Sequence, residues 1–122
     1  MKPLTPIIKK HRLVAADFRS AFDWHEDQRS GLGLEFAADF RRAYERLRQG
    51  PLLYAIRFGN VRRLNLERFS YGLFYVVRGN EIWVLAILHA SRDSEEILKE
   101  RRKTFPARQP AGLETTTLPN EL

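Results

Sequence analysis

The sequence predicts an α+β fold: an N-terminal strand, an antiparallel helical hairpin packed on a curved, mainly antiparallel four-stranded sheet, and a short C-terminal helix. Three observations carry this prediction. Apolar residues recur at helical spacing through two stretches between Leu13 and Gln49, separated by a glycine-rich break. The pattern then changes to a period of two around Leu64 and Leu66, as a half-buried strand requires. Finally, two segments rich in aromatic and β-branched residues flank Gly79-Asn80, a pair suited to a two-residue hairpin turn.

Taken in order, Thr5 to His11 contains Pro6-Ile7-Ile8 and is too short for a typical helix, so it reads as the first strand of the sheet. From Leu13 to Gln28, Val14, Phe18, Ala21, Phe22 and His25 fall on one helical face, leaving Arg12, Arg19, Ser20 and Glu26 for solvent. Ser30-Gly31-Leu32-Gly33 interrupts the repeat and permits a tight reversal. The second helix runs from about Leu32 to Gln49 through Phe36, Phe40, Ala43, Tyr44 and Leu47, and Gly50-Pro51 ends it. Arg46 and Arg48 suit the negative end of its dipole and need no ligand there. A connection through about Asn60 leads to the strand around Leu64.

Tyr71 to Arg78 and Glu81 to His89 form the hairpin. With Arg78 opposite Glu81, Phe74, Val76, Trp83, Leu85, Ile87 and His89 share one face, and Tyr71, Leu73, Tyr75, Val77, Ile82, Val84, Ala86 and Leu88 share the other. Both faces are apolar, so the sheet needs two covers, and the helical hairpin supplies one. Asp93 to Lys103 supplies a candidate for the other: Asp93 or Ser94 can cap, Glu95 and Glu96 suit the first turn, and Lys99, Arg101, Arg102 and Lys103 suit the last. With little apolar content beyond Ile97 and Leu98, this helix is expected to dock weakly and to yield to a partner. Prolines at 106, 110 and 119 and the run Thr115-Thr116-Thr117 predict a disordered tail, so residues 1–103 form the expected domain and 104–122 the tail.

The chain's 122 residues suit one core, and lysine plus arginine exceed aspartate plus glutamate by 21 to 15, which favours an acidic or phosphate-rich partner. The absence of cysteine excludes disulfides, thiol nucleophiles and thiolate metal sites. No signal-like or membrane-spanning run occurs, so a cytoplasmic location is expected. Phosphate-binding glycine loops, metal-binding histidine pairs and nucleophile elbows are also missing, and neither a metal nor another cofactor is expected.

Two constellations remain. His89 ends the last strand with Arg92 close behind. An imidazole that moves a proton beside a guanidinium that binds phosphate suits attack on an RNA phosphodiester. The structural alternative has Asp93 capping the terminal helix while His89 and Arg92 bond carbonyls at the end of the sheet. The second constellation is Arg57, Arg62, Arg63, Arg68 and Arg78 with Tyr71, Tyr75 and Trp83, which could hold phosphates and stack bases. Its alternative is a solvated strand face with the tyrosines packed beneath the helices. In the expected register Arg63 shares a face with Arg78 and His89.

The segments Ala16-Asp17-Phe18, Trp24, Gln28-Arg29-Ser30-Gly31-Leu32-Gly33, Phe36, Val61-Arg62-Arg63-Leu64, Phe69 to Tyr75 and Leu85 to Asp93 together resemble the RelE/ParE toxins, especially the ParE-like, plasmid-stabilisation branch. The resemblance runs from about Ile7 to Lys103. It implies the toxin of a type II toxin–antitoxin module, neutralised by a cognate antitoxin that covers the apolar groove near the terminal helix, at Trp83, Leu85, Ile97 and Leu98. RelE-like members cut messenger RNA on the ribosome, whereas ParE-like members poison DNA gyrase. For the first activity the resemblance implies a metal-independent ribonuclease with His89, Arg63 and Arg92 as its catalytic set; for either, Arg57, Arg62, Arg68, Arg78 and Tyr75 would bind the target. This sequence departs from the ribonuclease pattern, lacking paired lysines on the strand around Leu64 and a tyrosine after His89. The long hairpin with its Gly-Leu-Gly linker favours the gyrase branch. A third outcome is a domain that has lost toxicity and only binds its partner.

Overall fold

The computed structural model describes residues 6–104. Along the chain run β1 (Ile7–Lys10), α1 (Val14–Gln28), α2 (Leu32–Gln49), a 3-10 turn (Pro51–Leu53), β2 (Ile56–Phe58), β3 (Val61–Asn65), β4 (Tyr71–Arg78), β5 (Glu81–His89) and α3 (Glu95–Thr104). The strands make one sheet in the order β1-β5-β4-β3-β2, with β1 parallel to β5 and the other neighbours antiparallel.

The sheet therefore has five strands rather than the expected four. Ile56–Phe58 pairs with β3 inside the segment taken for a connection, and three residues are too few to display a period of two. The terminal helix begins at Glu95 rather than Asp93 and takes in Thr104, which the sequence reading placed in the tail. The rest of that expected tail, and Thr5 of the first strand, lie outside the described residues.

Glu26 sets the tight junction between α1 and α2. Its carboxylate accepts the backbone N–H groups of Gly31 and Gly33, each at 2.9 Å, and these bonds hold its carboxyl below the usual range. Gly33 must be small, since a Cβ there would stand 2.9 Å from Glu26 Oε1 and 3.0 Å from the Phe22 ring. Farther along α2, buried Asp39 accepts the N–H groups of Arg68 and Phe69 at 2.8 and 2.9 Å and a bond from Arg42, tying the β3–β4 loop to the hairpin. Burial works against its charge, yet those bonds hold the carboxyl below its ordinary value.

Two cores lie on opposite sides of the sheet. Val14, Ala21, Phe36, Phe40, Ala43 and Leu47 of the hairpin pack on Leu64, Leu73, Tyr75, Ile82, Val84 and Ile87. The other side joins Val61, Phe74, Val76, Leu85, Ala86 and Leu88 to Leu98 of α3. This division corrects the expected faces. Tyr75 pairs with Val84 but Phe74 pairs with Ala86, so Leu85 is an extra residue in β5. A β-bulge of this kind puts two successive residues on one side and shifts all that follow by one. Ile87 and His89 thus move to the hairpin side, and Ala86 and Leu88 to the α3 side.

The outer edge of β5 is covered by β1 only from Glu81 to Val84. Beyond it, Asp17 Oδ2 accepts the Ile87 N–H at 3.0 Å and Arg101 Nη1 donates to the Leu85 carbonyl at 3.0 Å. Arg101 also grips the Asp17 carboxylate at 2.6 and 3.1 Å. One nearly buried ion pair thus links α1, the bulged strand and α3, and satisfies an edge that would otherwise be open.

Candidate functional site

Between the N-terminal end of α3 and the β2–β3–β4 part of the sheet lies a cleft of about 260 Å³. Arg57, Arg63 and Arg92 line it with the rings of Phe58 and Phe74, and Asp93 and Glu95 stand at the helix end. The alternation of β3 aims Arg63 here: it pairs with Phe74, its guanidinium lies 5.2 Å from that ring, and its Nε donates to Asn65 Oδ1 at 2.6 Å. Burial, then the nearby Arg57, lowers the Arg63 pKa. An anion in the cleft would counter the repulsion between the two guanidiniums and favour the charged form of Arg63, because it would supply an opposite charge. Among the described residues neither Arg57 nor Arg92 has an ion-pair partner. A second hollow of about 280 Å³ adjoins it at Arg63 and Ala90 and reaches Arg68 and Tyr71.

The expected catalytic set is divided. Arg63 and Arg92 share the cleft, but His89 does not. It pairs with Tyr71 on the hairpin side of the sheet, its ring edge-on to that tyrosine at 5.1 Å. The bulge at Leu85 causes this, since without the extra residue His89 would stand on the side of Arg63. The His89 Nδ1 accepts the Ser91 N–H at 3.0 Å, which leaves Nε2 as the proton carrier of the neutral ring.

The expected target-binding residues scatter as well. Arg62 faces the hairpin side, where its Nη1 donates to the Tyr54 carbonyl at 2.7 Å. Arg68 is held by Glu35 at 3.0 Å, and Arg78 lies over Trp83 at 5.0 Å, at the far end of β4. Tyr75 is 0% exposed and donates its hydroxyl to the Pro51 carbonyl at 2.6 Å; burial pushes its pKa up to about 12. It is a core residue and has no surface for a target. Of the four residues expected beneath an antitoxin, Leu85 and Leu98 are buried together under α3, while Trp83 and Ile97 stay half-buried at the margin. The groove foreseen there is thus filled by the chain's own helix.

Sequence reasoning missed Asp17, Asp39 and Arg101. The first two carried a signal, because each stands on the apolar side of its helical repeat, Asp17 beside Phe18 and Asp39 between Phe36 and Phe40. Among the described residues no cluster of three or more potential metal ligands occurs, and no helix is long and apolar enough to cross a membrane.

Comparison with known proteins fits this architecture. A search of curated proteins finds no match. Among solved structures, a chain of the chromosomal ParDE TA system from P. aeruginosa is 26% identical, with a TM-score of 0.63, over 70% of this chain and 96% of that one. A mutant of the E. coli toxin RelE in the free state shares the fold at 13% identity and a TM-score of 0.56, over 84% of this chain and 99% of that one. The family described as the ParE toxin of the type II toxin-antitoxin system parDE matches residues 8–94, which is most of the described fold, and the chain belongs to that family of toxins.

Proposed function

We propose that this toxin inhibits growth by poisoning DNA gyrase and that a cognate antitoxin neutralises it. The observation that carries this reading is the separation of His89 from the arginine cleft. A ribonuclease of the kind the sequence suggested needs its proton-transfer group within hydrogen-bond reach of the phosphate its arginines hold. Here His89 pairs with Tyr71 on the hairpin side of the sheet and is not part of the cleft's lining, whose described residues offer guanidinium, carboxylate, hydroxyl and apolar groups. Such a surface suits binding to an acidic or phosphate-bearing target more than acid–base chemistry. A cytoplasmic location follows from this reading, since gyrase and its DNA are there.

The test supplies the purified chain to gyrase with supercoiled plasmid, and separately to ribosomes translating a defined messenger RNA. Trapped cleavage complexes, released as linear DNA, are expected with the message intact. Ribosome-dependent cleavage of the message with the plasmid unaffected would overturn the proposal. Inactivity in both assays by folded protein would leave a partner-binding domain. One observation favours the ribonuclease as the second reading: Arg57, Arg63 and Arg92 converge beside two aromatic rings. Under it, Arg63→Ala lowers message cleavage about 100-fold, the scale of losing one charge-stabilising donor.

A further inference from the structure

Gly72 stands inside β4, paired with Asn65 of β3 on one side and with Leu88 of β5 on the other. A glycine in such a place weakens a strand, because it brings no side chain to pack. The backbone does not call for it either, since among the described residues the glycines with positive φ are Gly31, Gly59 and Gly79. What requires it is space. A Cβ at position 72 would stand 2.5 Å from Arg63 Nε and 3.0 Å from Arg63 Cζ. The end of the Arg63 side chain lies across the room that the glycine leaves.

Strand register explains this approach. Arg63 and Asn65 are opposite Phe74 and Gly72, and all four stand on the α3 side of the sheet. Asn65 Oδ1 takes the Arg63 Nε–H at 2.6 Å, and the Phe74 ring lies 5.2 Å from the guanidinium carbon. The two Nη groups bond nothing among the described residues, and no described carboxylate pairs with Arg63. Two free Nη groups side by side match two oxygens of one anion. Arg57 and Arg92 line the same cleft from β2 and from the loop before α3, so donors meet the anion from several directions. A tetrahedral phosphate accepts such bonds on several oxygens, whereas a planar carboxylate offers two. Arg63 also lines the adjoining hollow with Arg68, which places it where the two openings join.

We propose that Gly72 is a positioning residue, and that it lays Arg63 in place as the receptor for a phosphate group. Gly72 yields the room, Asn65 holds Nε and Phe74 supports the guanidinium. The free Nη pair is thus presented with little side-chain freedom left to lose on binding. That this phosphate belongs to the DNA of a gyrase complex rests on the function proposed above; the receptor itself does not.

The experiment titrates inorganic phosphate, acetate and a short thymidine strand into the isotope-labelled full chain and follows the arginine Nε–H resonances. A saturable shift of the Arg63 resonance by phosphate is expected, with acetate binding at least about tenfold more weakly. Tighter binding of the strand assigns the phosphate to a nucleic acid, and equal binding assigns it to the free ion. Because a Cβ at position 72 meets only the end of a flexible side chain, Gly72→Ala should keep its melting temperature. It should displace the Arg63 resonance and weaken phosphate binding at least about tenfold, the scale of one charge-assisted hydrogen bond. Asn65→Ala, at an exposed position, should weaken it in the same direction. Added to Arg63→Ala, Gly72→Ala should weaken binding no further, because its effect passes through that arginine. No shift at Arg63, equal binding of acetate, phosphate binding unaltered by Gly72→Ala, or a further loss on the Arg63→Ala background would overturn the proposal. Phosphate binding at Arg63 by a chain that leaves gyrase unaffected would uphold the receptor and remove the gyrase reading; gyrase poisoning with no shift at Arg63 would do the reverse.

Discussion

The face of the sheet beneath the helical hairpin and the face beneath α3 are made from similar apolar residues but closed by different means. Under the hairpin, Phe36 contacts the rings of Phe18, His25, Phe69 and Tyr71, and Asp39 locks the adjoining loop. Under α3, a ten-residue helix buries Leu98, half-buries Ile97 and is fastened at its far end by Arg101. The arginine cleft opens at the other end of that helix, where the cover stops. Similar greasy surfaces thus serve two ends: one is consumed by the fold, while the other borders the site.

The largest effect should separate the two. Phe36→Ala is expected to cost about 3–5 kcal/mol in chemical denaturation, and to lower amide protection across all strands, because it opens a cavity where both helices meet the sheet. Asp17→Ala breaks the link between the faces, leaving Arg101 nearly buried without its partner and the Ile87 N–H without an acceptor. At least about 3 kcal/mol of destabilisation should follow. A small loss would show that α3 is held by packing alone.

Leu98→Ala sharpens the contrast. It should remove about 2 kcal/mol, read as faster amide exchange confined to α3 while β4 and β5 stay protected. Uniform loss of protection would mean that α3 belongs to the same cooperative unit as the hairpin.

pH offers a graded lever on the same helix. His11 Nδ1 accepts the Leu13 N–H at 3.1 Å and its Nε2 meets Thr104 Oγ1 at 3.2 Å, at the end of α3. Burial, then Arg101 and Arg12, pull its pKa down to about 4 from 6.5. The folded state thus resists a proton that the unfolded state accepts. Stability should be fullest above pH 6.5 and decline as pH falls towards 4, by at most about 1.4 kcal/mol per unit. His11→Gln should flatten this part of the stability profile. The smallest effect is expected at Arg63→Ala, within about 0.5 kcal/mol of wild type, since relief of one crowded cation offsets loss of the bond to Asn65 and of the contact with the Phe74 ring. Its consequence should appear in target binding instead.

Much of this was legible in the residues. The helical repeats of Val14 to Gln28 and Leu32 to Gln49, the glycines between them and the Gly79-Asn80 turn report local preferences, and local preferences act wherever the chain goes. The same holds for the excess of arginine and for the lack of cysteine. What the sequence did not disclose is how separate elements register on one another. Ile56–Phe58 becomes a strand only because β3 lies beside it. The bulge at Leu85 adds one residue that no period-two pattern reveals, and that single residue turns His89 away from Arg63. Asp17 and Arg101 are 84 residues apart and meet only when α1 and α3 close on the edge of β5. The sequence by itself determined every element but β2, their order and the charge, because each depends on neighbours along the chain; tertiary structure alone decided that β2 forms, which arginines converge and on which side His89 stands, because the pairing of strands sets the side of each residue.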